Sequence, residues 1–242
     1  MTDNLLEMQY SKRLNEIKTM MDFIDRMLLL PRLTPTFQMS LNIQKSSTAL
    51  LIYNLMESTV STSFTNILDS IVDNNVSYAD VSDPFQEIWL DLNFMDTFDV
   101  SSSFTSYRNR TQQIITKILN NKSTNFLSFS NSVTQWQLPG GNIDAEQINK
   151  LCKSFGISFK VPIEISRDAG VLKTIKDKRN QLGHGDYSFD EIGRSITVED
   201  LRSWTNEVDE YLKCLISAIT VFIDNRKYCL FPENLITQQK SN

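Results

Sequence analysis

An all-α fold, a bundle of long helices with additional short helices and loops, is predicted by three observations. Apolar residues recur at steps of three and four along three long segments. Shorter segments of two to four helical turns lie between them. The composition, 40% hydrophobic and 22% charged, is that of a globular protein able to bury a core, within one domain spanning residues 1–242.

The first long segment carries Leu14, Ile17, Met21, Ile24 and Leu28, which mark an amphipathic helix from about residue 4 to 30, stopped by Pro31. The second, from about 41 to 72, has the stripe Ile52, Met56, Val60, Phe64, Ile67 and Ile71 and ends near the turn signal Asp73-Asn74-Asn75. Shorter helices are expected over Pro84–Phe94, Arg108–Asn120 and Asp144–Phe155, the last capped by Asp144 with Gln147 three positions on. Residues 96–106 and 123–134, rich in Ser, Thr and Asn, read as connections, with a short strand around Val133–Leu138. A helix over about 168–183 follows. The last long helix, about 198–225, presents Leu201, Trp204, Val208, Tyr211, Leu215 and Phe222 and opens at Thr197, with Asp200 completing an approximate capping box.

Charge and cysteine content narrow the function classes. The net charge of −5 argues against a general nucleic-acid coat, so any nucleic acid must meet a local basic site. Cys152, Cys214 and Cys229 show no CxxC spacing, and with a single histidine a zinc site is not expected. No basic n-region followed by an apolar core opens the chain, and the apolar run Cys214–Ile223 is far short of the ~20 residues of a membrane span. A soluble, cytoplasmic protein without cofactor or membrane association is expected.

The only histidine, His184, stands five residues after Arg179 in Lys178-Arg179-Asn180-Gln181-Leu182-Gly183-His184-Gly185. Imidazole can exchange protons near neutrality, and guanidinium offers the donor fork that a phosphate needs. Leu172, Ile175, Arg179 and Leu182 step by three, four and three, so Arg179 takes a slot that periodicity gives to an apolar side chain. A charge there either meets a partner or ligand, or snorkels from the edge of the stripe. His184 reads equally as a proton carrier or as a helix C-terminal histidine favoured by the dipole. All seven glycines fall between Gly140 and Gly193, around this stretch. No phosphate-binding loop is present, since no Gly-Lys-Ser/Thr occurs.

From Ser46 through Leu68 the one charged side chain is Glu57, four residues after Tyr53. A carboxylate there either faces solvent or is a paired internal group, and a partner in Arg179 would satisfy both.

The stretch Lys178–Leu201, KRNQLGHGDYSFDEIGRSITVEDL, resembles the HEPN superfamily, whose ribonuclease members carry Arg-x(4 to 6)-His with a polar residue directly after the arginine; Asn180 fills that place. The continuation Ser188-Phe189-Asp190-Glu191 and Gly193-Arg194, and the upstream Leu138-Pro139-Gly140-Gly141-Asn142-Ile143-Asp144, look like a bacterial branch linked to toxin-antitoxin and defence loci. The resemblance covers roughly residues 135–225, with the N-terminal half matching as a helical scaffold bearing Tyr53-Asn54-x-x-Glu57.

The resemblance implies a helical homodimer that cleaves RNA without metal. Arg179 would hold the scissile phosphate, His184 would activate the ribose 2′-hydroxyl or protonate the leaving oxygen, and Asn180 would orient substrate or catalytic pair, with Tyr53 and Glu57 in support. It also implies an antitoxin or defence-complex partner. Other HEPN domains are non-catalytic binding or adaptor modules that partner nucleotidyltransferases, and the set Arg179, Asn180 and His184 favours the enzyme over these.

Overall fold

The computed structural model describes residues 2–30, 34–94, 103–121, 142–162 and 169–232. These form eight helices and no strand: α1 (Thr2–Leu28), α2 (Pro35–Asp73), α3 (Asp83–Phe94), α4 (Phe104–Asn121), α5 (Ala145–Ser154), α6 (Ala169–Gly183), α7 (Phe189–Arg194) and α8 (Val198–Asp224). The strand expected at 133–138 lies outside the described residues. Helix α2 begins six residues before the expected start, with the Thr34 hydroxyl accepting from the Phe37 N–H at 3.2 Å. Helix α4 begins inside the expected connection, at Phe104, where the Ser103 hydroxyl accepts from the Ser106 N–H. Helix α7 is an element that periodicity missed, because six residues are too few to show a stripe.

Backbone contacts group the chain into two compact units: residues 1–63, 139–152 and 158–217, and residues 64–138, 153–157 and 218–242. Helices α2, α5 and α8 contribute to both. In the first unit Ile17, Met21, Ile52, Met56, Val208 and Leu215 are all buried, as their stripes require. The α1 stripe ends differently from the expected one: Leu28 is 47% exposed, and Met27, one step back on the drifting 3.6-residue period, is buried instead. Helices α1 and α8 are joined at two levels. Asp25 meets Arg202 at 2.5 Å, and the Tyr10 hydroxyl donates to Asp209. Burial, reinforced by Asp209, pushes the Tyr10 phenol far above its ordinary range.

Helix α7 is held by local and long-range contacts together. A capping box starts it, Ser188 accepting from the Glu191 N–H while Glu191 accepts from the Ser188 N–H at 2.8 Å. It then lies directly on the backbone of α2. A Cβ on Gly193 would stand 1.9 Å from the Asn42 carbonyl oxygen, so only glycine permits this approach. Around that contact the Asn42 amide donates to Asp190 at 2.9 Å, and the buried Lys45 donates to the Ile196 carbonyl at 2.7 Å. The box at the head of α8 forms as expected, with Thr197 N–H to Asp200 at 2.8 Å and Asp200 N–H to Thr197 at 3.0 Å.

The second unit is organised by aromatic packing. Phe85 packs edge-to-face on Phe155 at 5.6 Å and on Tyr228 at 6.5 Å between centroids, and Phe64 meets Phe155 at 4.8 Å. An isolated antiparallel bridge, Val81 to Cys229, closes the unit, with Ser82 N–H to the Tyr228 carbonyl and Leu230 N–H to the Asp80 carbonyl, each 2.8 Å. Asn75 adopts a positive φ of 53° after α2, the turn signal read from the sequence.

Replacing Gly193 by Ala should destabilise the protein by at least the upper end of the about 1–3 kcal/mol typical of overpacking, because the opposing atoms are main chain and cannot swing away. Urea denaturation would show this, and an unchanged midpoint would contradict the close approach.

Acid should also weaken the first unit through Asp144, which caps α5 by accepting from the Gln147 N–H at 2.9 Å and meets Lys176 of α6 at 2.5 Å. Burial alone would raise its carboxyl, but the Lys176 ammonium and the N–H groups of Gln147 and Glu146 outweigh burial and hold it below the usual carboxylate range. Because the folded value is the lower one, this stabilisation is present above the unfolded value and is lost as pH falls through the folded one. Asp144→Asn should therefore be less stable than the wild type at pH 7, with the gap closing below about pH 4 in urea midpoints measured across pH.

Candidate functional site

Helix α6 places Leu172 and Ile175 in the core, and the next residue of that stripe is Arg179, half-buried. Its guanidinium lies over the ring of Tyr53, 5.3 Å from the centroid. Tyr53 is fully buried on α2, so the apolar slot is filled by an aromatic face that accepts a cation. This resolves how a charge can occupy a core position: a π surface receives it, and the side chain does not simply snorkel.

The Tyr53 hydroxyl accepts from the Ile143 N–H at 3.1 Å, which anchors the segment leading into α5. Burial raises the Tyr53 phenol, the Ile143 bond opposes this, and Glu57 and Arg179 act on it in opposite senses, so both charges stand within electrostatic reach of that hydroxyl. Glu57 is half-buried one turn along α2 from Tyr53, on neither the solvent face nor the deep core.

Three side-chain contacts bind residues 142–144 to their neighbours. Ile143 is held by Tyr53, Asp144 by Lys176, and Asn142 accepts from the Asn180 amide at 3.2 Å. Arg179 Nη1 in turn donates to Asn180 Oδ1 at 3.2 Å. Periodicity could not single out Asn142, Asp144 and Lys176 as part of this group. Asp144 was legible as the cap of α5 and Asn142 lies in the Asn142-Ile143-Asp144 run that resembles HEPN proteins, whereas Lys176 carried no sequence signal.

His184 lies just beyond the end of α6, where its N–H donates to the Asn180 carbonyl at 2.9 Å and Gly185 turns the chain at a φ of 75°. The imidazole is exposed, as are Tyr187 and Phe189 after it. The structure thus gathers Tyr53, Arg179 and Asn180 into one bonded group, sets Glu57 beside Tyr53, and leaves His184 at the solvent end of the same helix. Over its length α6 carries Lys173, Lys176, Lys178 and Arg179 against one carboxylate, Asp177, so this helix is locally basic in an acidic chain.

Among the described residues no group of three or more His, Cys, Asp or Glu side chains is placed to hold a metal ion, and no helix is long and apolar enough to cross a membrane. No curated protein and no solved structure matches the chain. The family model described as HEPN_MAE_28990-like HEPN matches residues 2–228, a far longer stretch than the roughly 135–225 that resembles the superfamily by its motifs. That match takes in all eight helices, and the chain belongs to this HEPN family.

Proposed function

We propose that this protein is an endoribonuclease acting on single-stranded RNA without a metal ion, the toxin or effector of a toxin-antitoxin or phage-defence system. The observation that carries this reading is the pre-set Arg179 and Asn180, on a basic helix whose end presents an exposed imidazole. Arg179 would neutralise the scissile phosphate from a position already fixed by Tyr53, so little reorganisation accompanies charge development. The ribose 2′-oxygen attacks phosphorus and loses its proton to imidazole. The bond to the neighbouring 5′-oxygen breaks, and that oxygen receives a proton from imidazolium. The products are a 2′,3′-cyclic phosphate and a 5′-hydroxyl. The half-exposed ring of Tyr187 offers a stacking face for an unpaired base.

One histidine cannot be base and acid in the same step. A homodimer whose twofold axis runs through the cleft supplies the second imidazole and a second guanidinium. The other reading, a non-catalytic binding or adaptor module, is favoured by one observation: Tyr53 and Asn180 give Arg179 a structural use.

Purified protein should cleave single-stranded RNA in EDTA, and cleavage lost on chelation but restored by magnesium would overturn the metal-free scheme. His184→Ala should lower the rate by about 10²–10⁴-fold and leave the melting temperature unchanged, the side chain being exposed. Arg179→Ala should abolish cleavage and also lower stability by about 0.5–2 kcal/mol through loss of the contact with Tyr53. Loss of stability with no wild-type cleavage to lose would favour the adaptor reading.

Light scattering at micromolar concentration should report a dimer. His184→Ala mixed with Arg179→Ala should regain part of the activity that each lacks, whereas an active monomer would exclude the composite site.

A further inference from the structure

The bonding chemistry of Arg179 dictates the orientation of two amides beyond it. A guanidinium only donates, so the Asn180 atom facing Arg179 Nη1 at 3.2 Å must be its carbonyl oxygen. The Asn180 NH₂ is thereby turned toward Asn142, 3.2 Å away, whose facing atom must then be its own carbonyl oxygen. The order of donors runs one way: Arg179 to Asn180 to Asn142. The far end of this chain is itself clamped, because the residues that follow Asn142 are held on both sides. Ile143 N–H is bound by the buried Tyr53 hydroxyl, and Asp144 by Lys176, one helical turn before Asn180 on α6.

We infer that Asn142 is a positioning residue for the site, acting through Asn180 to hold the guanidinium of Arg179 in its phosphate-binding orientation; as an assignment of function this rests on the ribonuclease reading. Without the Asn142 acceptor, the Asn180 side chain keeps only one of its two hydrogen-bonded ends, and it can swing so that its oxygen no longer sits squarely before Arg179. Arg179 would keep its contact with the Tyr53 ring while its bond to the Asn180 oxygen weakens. Asn142 is exposed, so its removal leaves no cavity and no buried group unsatisfied. The effect expected is on catalysis and on amide geometry, with folding retained.

The test is a double-mutant cycle on the full-length protein with two readouts. Asn142→Ala should lower kcat about three- to tenfold, the range of one net hydrogen bond, with the melting temperature within a degree or so of the wild type's. In the Asn180→Ala background the same substitution should have no further effect, because its only route of action is gone. Additive losses would overturn the proposal, as would an Asn142→Ala enzyme with wild-type kcat. The second readout is independent of RNA. The side-chain amide signals of Asn180, assigned by comparison with Asn180→Ala in nitrogen-15 correlation spectra, should shift in Asn142→Ala and return toward their wild-type position in Asn142→Asp, which keeps the acceptor oxygen. Unmoved signals would overturn the relay. Shifted signals in a protein that cleaves no RNA would uphold the relay and refute the ribonuclease reading alone.

Discussion

A buried tyrosine has an apolar ring and a polar tip to satisfy at once, and Tyr53 meets both demands with groups drawn from elsewhere in the chain. Its ring faces the guanidinium of Arg179, and its hydroxyl takes the N–H of Ile143. Remove it, and Arg179 loses the aromatic face beneath it while the segment entering α5 keeps a buried amide without its acceptor, which is costly in a low-dielectric setting. The site depends on this one phenol because it joins three elements remote in sequence: α2, α6 and the start of α5.

Helix α2 serves as the reference against which the motif region is placed. Near its beginning, its main chain at Asn42 receives Gly193 at a separation only glycine allows, and Lys45 holds the turn between α7 and α8. Further along, Tyr53 and Glu57 face the group that includes Arg179. The hairpin of α6 and α7 is therefore held from two levels of one rigid rod, which limits its freedom to rock. The same arrangement leaves His184 in the turn between the two held helices, with its backbone bonded to Asn180 and its ring in solvent. A proton carrier that must reach a substrate is better placed there than in a packed core.

An acidic protein that acts on a polyanion has to localise its positive charge. Here the net charge of −5 coexists with four cations on the single helix α6, two of them engaged by other side chains of the protein. Lys176 holds Asp144, and Lys178 donates to the Ser195 hydroxyl at 2.9 Å. In the proposed reaction Arg179 meets the phosphate. Long-range attraction of RNA would be weak in such a molecule, so recognition would rest on close contacts at the site.

Periodicity alone determined that the chain is helical and where its long helices run. Most of the residues in the stripes through Ile17, Ile52 and Val208 are buried, because a 3.6-residue repeat commits one face to the core whatever that face meets. Sequence also marked Arg179 as anomalous, since an arginine in an apolar slot breaks a local rule. It offered Glu57 as a partner but not the aromatic face of Tyr53, which lies 126 positions earlier, because no local pattern encodes a cation resting on a ring across that separation. Helix α7 escaped for a related reason, its six residues drawing their stability from a capping box and from the backbone of α2 rather than from a stripe. Asn142 and Lys176 look like ordinary surface residues until the fold sets them beside Asn180 and Asp144. Residue types and spacing settle local conformation, but a site made of one face of α6, one face of α2 and three residues before α5 exists only once packing has brought them within hydrogen-bond range.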